Sequence, residues 1–205
     1  MALYRLNNFK GVKLGLWHIE EDTDFFEKLF PPQTDILNEG KRLQWYATRH
    51  LVNEVLGKPV KILKDQNGKP YLPNNTPNIS LTHTPQFAGV MLSEAHEVGI
   101  DLEPVNPKVE RIAPKFLRAD EIEAINPEEK IEKLILYWSA KEAMYKLHGR
   151  RQLEFKTQLL IEPFEMATSG KLSARIIADD YPAHPLEINY EFFEGHVLTY
   201  TVAGK

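Results

Sequence analysis

The chain has 205 residues, of which 42% are hydrophobic and 26% are charged, and its formal net charge is -4. This composition is typical of a globular protein of one domain or two small ones, and the acidic balance argues against a general nucleic-acid binder, which needs a basic excess. The sequence has no cysteine, no apolar run of about 18 residues and no signal-peptide core at its start, so we expect a cytoplasmic, monomeric protein without disulfides or membrane association.

The first half of the chain predicts a strand and two helices, followed by a hairpin and further strands. In chain order, the predicted elements are a strand (12–19), a short helix (24–30), a long helix (36–56), a hairpin (60–64 with 69–72) and three short strands (79–81, 87–92 and 98–102). Pro31-Pro32 separates the two helices, Gly57 ends the long one, and Gln66-Asn67-Gly68 provides the hairpin turn. The three short strands suggest an antiparallel meander that brings Asp101 to a sheet edge.

The second half repeats this order of elements without repeating the sequence. Its predicted elements are a short helix (109–117), a helical turn (120–123), a long helix that starts at Asn126-Pro127 and ends near Gly149, and strands over 153–161, 171–178, 186–193 and 196–203. Because a strand, a short helix, a long helix and a hairpin occur twice, the sequence predicts an α+β fold of two pseudo-equivalent halves, each with an antiparallel sheet and a long helix. The proline-containing stretch 103–108 divides them into residues 1–104 and 105–205.

The long helix of the second half carries a carboxylate where its pattern calls for a hydrophobic residue. At about 100° per residue, one stripe of this helix contains Ile131, Ile135, Trp138, Glu142 and Tyr145. Glu142 lies near the middle of the stripe and needs a partner there. Lys146, one turn further on, is one such partner, and a metal ion or substrate in a cleft is the other.

A second acidic cluster lies in Val98-Gly99-Ile100-Asp101-Leu102-Glu103-Pro104. Strand alternation places Asp101 and Glu103 on one face, roughly 6 to 7 Å apart, and Pro104 ends the strand. These carboxylates either face water at a solvated strand end or repel each other until a cation relieves them. Together with Glu142 they form a set of three oxygen ligands, which suits Mg²⁺ or Mn²⁺ better than zinc.

These two segments resemble the two-part signature of the 4′-phosphopantetheinyl transferases. Gly99-Ile100-Asp101-Leu102-Glu103 is followed, about forty residues later, by Trp138-Ser139-x-Lys141-Glu142-Ala143-x-x-Lys146, which matches at every defining position. The resemblance covers residues from about 40 to 156. It implies an active site in the seam between the halves and an Mg²⁺-dependent transfer of 4′-phosphopantetheine from coenzyme A to a serine of an apo acyl or peptidyl carrier protein, with release of adenosine 3′,5′-bisphosphate.

The resemblance also implies residues that contact the nucleotide end of coenzyme A. Arg42 and Arg49 are similar to an arginine pair used around the 3′-phosphate, although a solvated basic face has the same spacing. Gly68-Lys69-Pro70 resembles a segment beside the adenine and phosphates. Thr82-His83-Thr84 resembles a phosphate-contacting motif in which most two-domain members have serine on both sides of the histidine.

Three groups are expected to act on the reacting atoms. By the same resemblance, Lys146 stabilises the pyrophosphate, and Glu142, Glu121 or a metal-bound water takes the serine proton. Glu121 corresponds to a family acid proposed as the general base, and the alternative is that it belongs to an acidic first helical turn favoured by the helix dipole. The chain offers no convincing nucleophile of its own, which fits a reaction whose nucleophile is a serine of the partner.

A basic ridge is the predicted docking surface for the carrier protein. It consists of Lys108, Arg111, Lys115 and Arg118, together with Arg150 and Arg151. Carrier proteins of fatty-acid and polyketide biosynthesis are acidic helical bundles, so these charges would attract them. A solvated helix face is the alternative interpretation of the ridge.

Two other functions are compatible with the same residues. A metal-dependent pyrophosphate hydrolase would use the three carboxylates and turn over coenzyme A without a carrier protein. A non-catalytic module that binds coenzyme A is favoured if the three acidic side chains do not gather.

Overall fold

The computed structural model describes residues 3–73, 76–123, 125–150, 152–179, 181 and 185–203. The first part of the chain contains β1 (Leu3–Phe9), β2 (Val12–His18), α1 (Thr23–Glu27), α2 (Glu39–Leu56), β3 (Leu63–Lys64), β4 (Pro70–Tyr71), β5 (Asn78–His83), β6 (Phe87–Ser93) and β7 (Val98–Pro104). The remainder contains a 3₁₀ turn (Pro107–Arg111), α3 (Ala113–Phe116), α4 (Ala119–Glu123), a second 3₁₀ turn (Pro127–Glu129), α5 (Lys130–His148), α6 (Phe155–Gln158), β8 (Leu159–Ile161), β9 (Ser169–Ile176), β10 (Leu186–Phe193) and β11 (His196–Val202).

These elements form two antiparallel sheets, each packed against a long helix, which confirms the predicted α+β class. The four-stranded sheet has the order β1-β2-β6-β5 and packs against α2, and the five-stranded sheet has the order β7-β11-β10-β9-β8 and packs against α5. Asn38 caps the start of α2 through its side chain, and Gly149, with φ 73°, ends α5. No helix in the described part of the chain is long and apolar enough to cross a bilayer.

The predicted meander of three strands is wrong in its third member. β5 and β6 pair with each other, but β7 hydrogen-bonds to β11 of the other sheet. On its opposite edge, the amides of Ile100 and Leu102 donate to the hydroxyls of Ser80 and Thr82 on β5, at 3.1 and 3.0 Å. Side-chain hydroxyls therefore replace a backbone ladder here, and the seam between the sheets runs along β7.

Two further differences from the predicted elements have local causes. β1 was not predicted, because its sequence LYRLNNF has no clear alternation of apolar and polar residues and is largely exposed at a sheet edge, where strand propensity is a weak signal. The strand predicted over 153–161 begins only at Leu159. Ahead of it, Gln158 accepts a hydrogen bond from the Glu154 amide and Thr157 donates to the Glu154 carboxylate, which favours the helical turn α6.

Packing around β7 fixes what its two faces contact. Ile100 and Leu102 belong to a buried apolar cluster that joins the two sheets. On the other face, a Cβ atom at Gly99 would lie 2.1 Å from the carbonyl oxygen of Ala143, so a glycine is needed for α5 to pack this closely. Asp101 and Glu103 share the face of Gly99, and α5 therefore brings its own polar residues to them. The division into residues 1–104 and 105–205 stays a prediction. β7 belongs to the first of these ranges, but it pairs with β11 of the second.

Candidate active site

Asp101 is the buried centre of a group of acidic side chains between β7 and α5. This group, which we call the acidic cluster, consists of Asp101, Glu103 and Glu142. The residue exposure of Asp101 is 3%. Oδ1 accepts a hydrogen bond from the Lys146 ammonium at 2.7 Å and a longer one from the Thr82 hydroxyl at 3.4 Å. Oδ2 is buried and has no hydrogen-bond partner among the residues that the structure describes.

The other two predicted ligands lie within electrostatic reach of Asp101. Burial and the charge of Asp101 raise the pKa of Glu103 to about 7, opposed by a hydrogen bond from the Trp138 indole at 3.0 Å and by Lys146. Burial also raises the pKa of Glu142 to about 7, and the charges of Asp101 and Glu103 add to the effect while Lys146 opposes it. The structure thus places three carboxyl groups within electrostatic reach of one another, and the charge of Asp101 destabilises the charged forms of Glu103 and Glu142.

The chemistry of this cluster fits a hard divalent cation. An unpartnered, buried carboxylate oxygen next to two carboxyl groups with raised pKa values is a set of oxygen donors that lacks positive charge. As the side chains stand, no group of three or more histidine, aspartate or glutamate side chains in the described ranges is arranged to hold a metal ion. The metal site formed by Asp101, Glu103 and Glu142 therefore stays a prediction.

A cavity of about 640 Å³ borders the cluster and shares Lys146 with it. α2, the β3–β4 hairpin, β5 and the C-terminal end of α5 form its walls. Its basic lining residues are Lys41, Arg49, Lys64, Lys69, Lys146 and Arg150, together with His83. None of the described lining residues is acidic, although the whole chain has a net charge of -4. Such a cavity selects an anionic ligand.

Arg49 is held in this cavity by an aromatic ring. Its guanidinium lies 3.6 Å from the centroid of the Trp45 ring, and Nη1 donates to the Trp45 carbonyl at 3.2 Å. Burial lowers the pKa of Arg49 to about 10, and no ion pair offsets this in the part of the chain that the structure describes. Trp45 was not among the predicted site residues, and its spacing of one helical turn from Arg49 is the signal that would have identified it.

Arg42 is placed differently from Arg49. Its Nε atom lies 3.7 Å from a Glu27 oxygen on α1, and Arg42 does not line the cavity. Lys41 lines it instead, on the same side of α2 as Trp45. The predicted contact of Arg42 with a 3′-phosphate therefore has no support from its position.

The remaining nucleotide candidates divide into two groups. Lys69, Pro70 and His83 line the cavity. Lys69 also donates to Glu97 at 2.5 Å and to the Leu147 carbonyl at 3.0 Å, and burial, with a contribution from Lys146, lowers the pKa of His83. Thr82, in contrast, is buried against β7, where it supports Asp101 and Leu102 and does not line the cavity.

Glu121 lies outside the acidic cluster. It forms a buried ion pair with Lys141, at 2.9 Å, in which the two side chains are 2% and 0% exposed. The same carboxylate oxygen accepts the Arg118 amide, and Lys141 also donates to the carbonyls of Phe116 and Phe155. The structure therefore engages Glu121 in holding α4 against α5, rather than beside Asp101.

Most of the predicted docking ridge is accessible. Lys108, Arg111 and Lys115 are exposed on the 3₁₀ turn and α3, and Arg118 makes two hydrogen bonds to Asp120 at 2.8 Å. Arg150 is exposed at the cavity, and Arg151 lies outside the described residues. α3 is linked to the acidic cluster through Phe116, whose ring lies 5.1 Å from that of Trp138, the hydrogen-bond donor to Glu103.

Comparisons with known proteins find relatives among the 4′-phosphopantetheinyl transferases. The chain is similar to the 4′-phosphopantetheinyl transferase AcpT of Escherichia coli O157:H7, with 28% identity over 115 residues that cover 53% of this chain and 59% of the relative. It is similar to the 4′-phosphopantetheinyl transferase psf-1 of Bacillus pumilus, with 32% identity over 110 residues that cover 50% of this chain and 46% of the relative. The chain thus spans about half the length of the curated relatives it matches.

A family profile covers the segment that contains the acidic cluster. The profile of the 4′-phosphopantetheinyl transferase superfamily matches residues 97–201, just over half of the chain, from the strand of Asp101 through the helix of Glu142 and Lys146 to β11. The chain therefore belongs to the 4′-phosphopantetheinyl transferase superfamily.

Proposed function

We propose that this protein transfers 4′-phosphopantetheine from coenzyme A to a serine of an apo acyl or peptidyl carrier protein and releases adenosine 3′,5′-bisphosphate. The observation that carries the proposal is one lysine shared by two sites. Lys146 lines a cavity whose charged lining is entirely basic, and it also contacts the buried acidic cluster. The location in the cytoplasm and the monomeric state stay predictions.

The cavity has the properties that coenzyme A requires. Arg49, Lys69 and His83 offer donors for phosphate oxygens, and guanidinium suits these oxygens well. Its apolar lining residues are Ile36, Trp45, Ile62, Ile79 and Leu81. An apolar wall beside basic groups fits a nucleotide, which has a flat base and charged phosphates.

Asp101, Glu103 and Glu142 would hold Mg²⁺ or Mn²⁺ at the edge of this cavity. When bound, such an ion neutralises charge that develops on the pyrophosphate oxygens. The protein supplies the carboxylates on two rigid elements, β7 and α5, whose close packing at Gly99 keeps them together.

The residues of the chain then have separate tasks. Lys146 stabilises negative charge on the pyrophosphate, because its ammonium reaches from the acidic cluster into the cavity. Glu142 is our candidate for the group that takes the serine proton, since it belongs to the acidic cluster beside Lys146, which lines the cavity. Glu121, the other candidate base, would first have to break its ion pair with Lys141 before it could accept the proton.

Intact-mass analysis of a carrier protein tests the proposal directly. The protein is incubated with an apo carrier protein, coenzyme A and Mg²⁺, and a carrier with its acceptor serine changed to alanine is the control. We expect the apo carrier, and not the control, to gain one phosphopantetheine group. Consumption of coenzyme A without labelling would indicate a pyrophosphate hydrolase, and binding without consumption would indicate a non-catalytic module.

A further inference from the structure

Lys146 is the counter-ion of Asp101, the centre of the acidic cluster. Its ammonium lies 2.7 Å from Asp101 Oδ1, and the same charge opposes the rise in pKa of both Glu103 and Glu142. Its side chain is 27% exposed, whereas that of Asp101 is 5% exposed. The lysine therefore approaches a buried site from an open cavity and has a path by which to leave it.

One ammonium does not satisfy a cluster of one buried and two half-buried carboxylates. The sign of this deficit is Oδ2 of Asp101, which is buried and has no hydrogen-bond partner among the described residues. A divalent cation would compensate the negative charge of the cluster better than one ammonium does. However, Oδ1 and Oδ2 of Asp101 belong to one carboxylate. A divalent cation bound by Asp101 would repel an ammonium held on Oδ1 of the same carboxylate, so the two cations would compete for Asp101.

We propose that Lys146 leaves Asp101 when the divalent cation binds, and that the phosphates of coenzyme A are its second partner. The second half of this inference rests on the proposed function. Because the described lining of the cavity contains no carboxylate, an ammonium that leaves Asp101 finds an anionic partner there only when an anionic ligand is bound. Metal and coenzyme A consequently assist each other, and by linkage each raises the affinity of the other by the same factor.

The first test measures metal binding without coenzyme A. Mn²⁺ or Mg²⁺ is titrated into the wild-type protein and the Lys146→Met variant by calorimetry and by tryptophan fluorescence, to which Trp138 contributes through its hydrogen bond to Glu103. We expect the variant to bind the metal about tenfold more tightly, even though it transfers phosphopantetheine more slowly. Equal or weaker metal binding by the variant would overturn the proposal.

Lys69→Met is the matched control, because it removes the same charge from the same cavity. The Lys69 ammonium pairs with Glu97 and the Leu147 carbonyl and not with Asp101. We expect little change in its metal affinity, and an increase equal to that of Lys146→Met would show that net charge alone is responsible, against the proposal. Lys146→Gln, which keeps a donor for Asp101 but no charge, replaces Lys146→Met if that variant does not fold.

The second test measures the coupling. Saturating coenzyme A should increase the metal affinity of the wild-type protein, and this increase should shrink several-fold in Lys146→Met. An unchanged increase would exclude Lys146 as the coupling residue. If coenzyme A does not bind the wild-type protein at all, the second half of the inference and the proposed function both fail, while the metal-binding result without coenzyme A still decides the first half.

Discussion

Two lysines of α5, Lys141 and Lys146, make ion pairs of opposite character. Lys141 is fully buried, and its three hydrogen bonds, to Phe116, Glu121 and Phe155, use the full donor capacity of an ammonium. Lys146 pairs with Asp101 at the border of a cavity and keeps 27% of its side chain exposed. The same residue type in the same helix is thus a structural connection in one place and an exchangeable charge in the other.

The difference follows from what surrounds each pair. Lys141 connects the segments that contain α3, α4 and α6 to the core helix, so its loss would affect several elements at once. Lys146 contacts one buried carboxylate and lines an open cavity that suits an anion. We therefore expect substitutions around Lys146 to change catalysis and ligand binding, and substitutions around Lys141 to change stability.

The largest expected effect is on catalysis, at the acidic cluster that Lys146 contacts. Glu142→Gln removes a carboxylate that the proposed function uses for metal binding and proton transfer, and should lower the rate of carrier modification by about 10³-fold or more. The variant should remain folded, because removing one of three like charges relieves repulsion. Measured by intact mass with saturating Mg²⁺, near-normal activity of Glu142→Gln or Asp101→Ala would refute the metal assignment.

The next largest effect is on stability, at the buried ion pair of Lys141 and Glu121. Lys141→Met leaves the Glu121 carboxylate buried without its partner and should lower the free energy of unfolding by about 3 to 5 kcal/mol. The double variant Lys141→Met with Glu121→Leu should recover most of this loss, since apolar groups of similar size replace both charges. Urea unfolding measures both, and a double variant no more stable than the single one would contradict this interpretation of the pair.

The acidic cluster also predicts a pH dependence of the metal-free protein. The pKa of Glu142 rises from 4.5 to about 7 on folding, so the folded state binds more protons than the unfolded state between these values, and stability falls as the pH rises through this window. Glu142→Gln removes this contribution. Without metal, the variant should match the wild-type protein below about pH 4.5 and exceed it by about 3 kcal/mol above pH 7.

Thermal unfolding at both pH values, with EDTA present, measures this difference. A gain in stability for Glu142→Gln that is the same at both pH values would show that the carboxyl group of Glu142 is not the one that titrates.

A smaller effect is expected at Trp45, which positions Arg49 in the cavity. Trp45→Leu keeps an apolar side chain but removes the ring beneath the guanidinium, and should weaken coenzyme A binding by about 1 kcal/mol, or roughly fivefold. Trp45→Phe should restore part of the affinity. If Arg49 contacts the 3′-phosphate, coenzyme A that lacks this phosphate should lose less affinity for Arg49→Ala than for the wild-type protein.

Short-range patterns in the sequence were sufficient to predict the elements around the acidic cluster. The period of two residues in a strand predicts that Asp101 and Glu103 share a face opposite Ile100, and the apolar packing of Ile100 confirms it. The strand that pairs with β7 was predicted wrongly, because the choice between β6 and β11 depends on contacts between residues far apart in the chain. The family prediction is confirmed, and it rested on the two acidic segments that the family profile also covers.

The lining of the cavity was less accessible to sequence reasoning. Spacing places Arg42 and Arg49 on one face of α2, but the position of α1 brings Glu27 to Arg42 and leaves Arg49 in the cavity. Likewise, nothing in the local sequence around Glu121 distinguishes an acidic first turn from a buried partner of Lys141. Both outcomes depend on how separate elements pack, which a local pattern does not contain.

The smallest effect is expected on the surface, at the predicted docking ridge. Lys108, Arg111 and Lys115 are exposed, and exposed charges act mainly on the encounter of two proteins, over a screening distance of about 8 to 10 Å. Arg111→Glu with Lys115→Glu should therefore raise the KM for the carrier protein several-fold and flatten its dependence on salt, while coenzyme A binding in the cavity hardly changes.

Lys171→Glu, on β9 in an exposed pair with Glu187, is a control for general surface charge. A double reversal that leaves the carrier KM unchanged, or that weakens coenzyme A binding equally, would assign the ridge to a solvated surface, and steering by charge would then have to come from the basic residues at the cavity mouth.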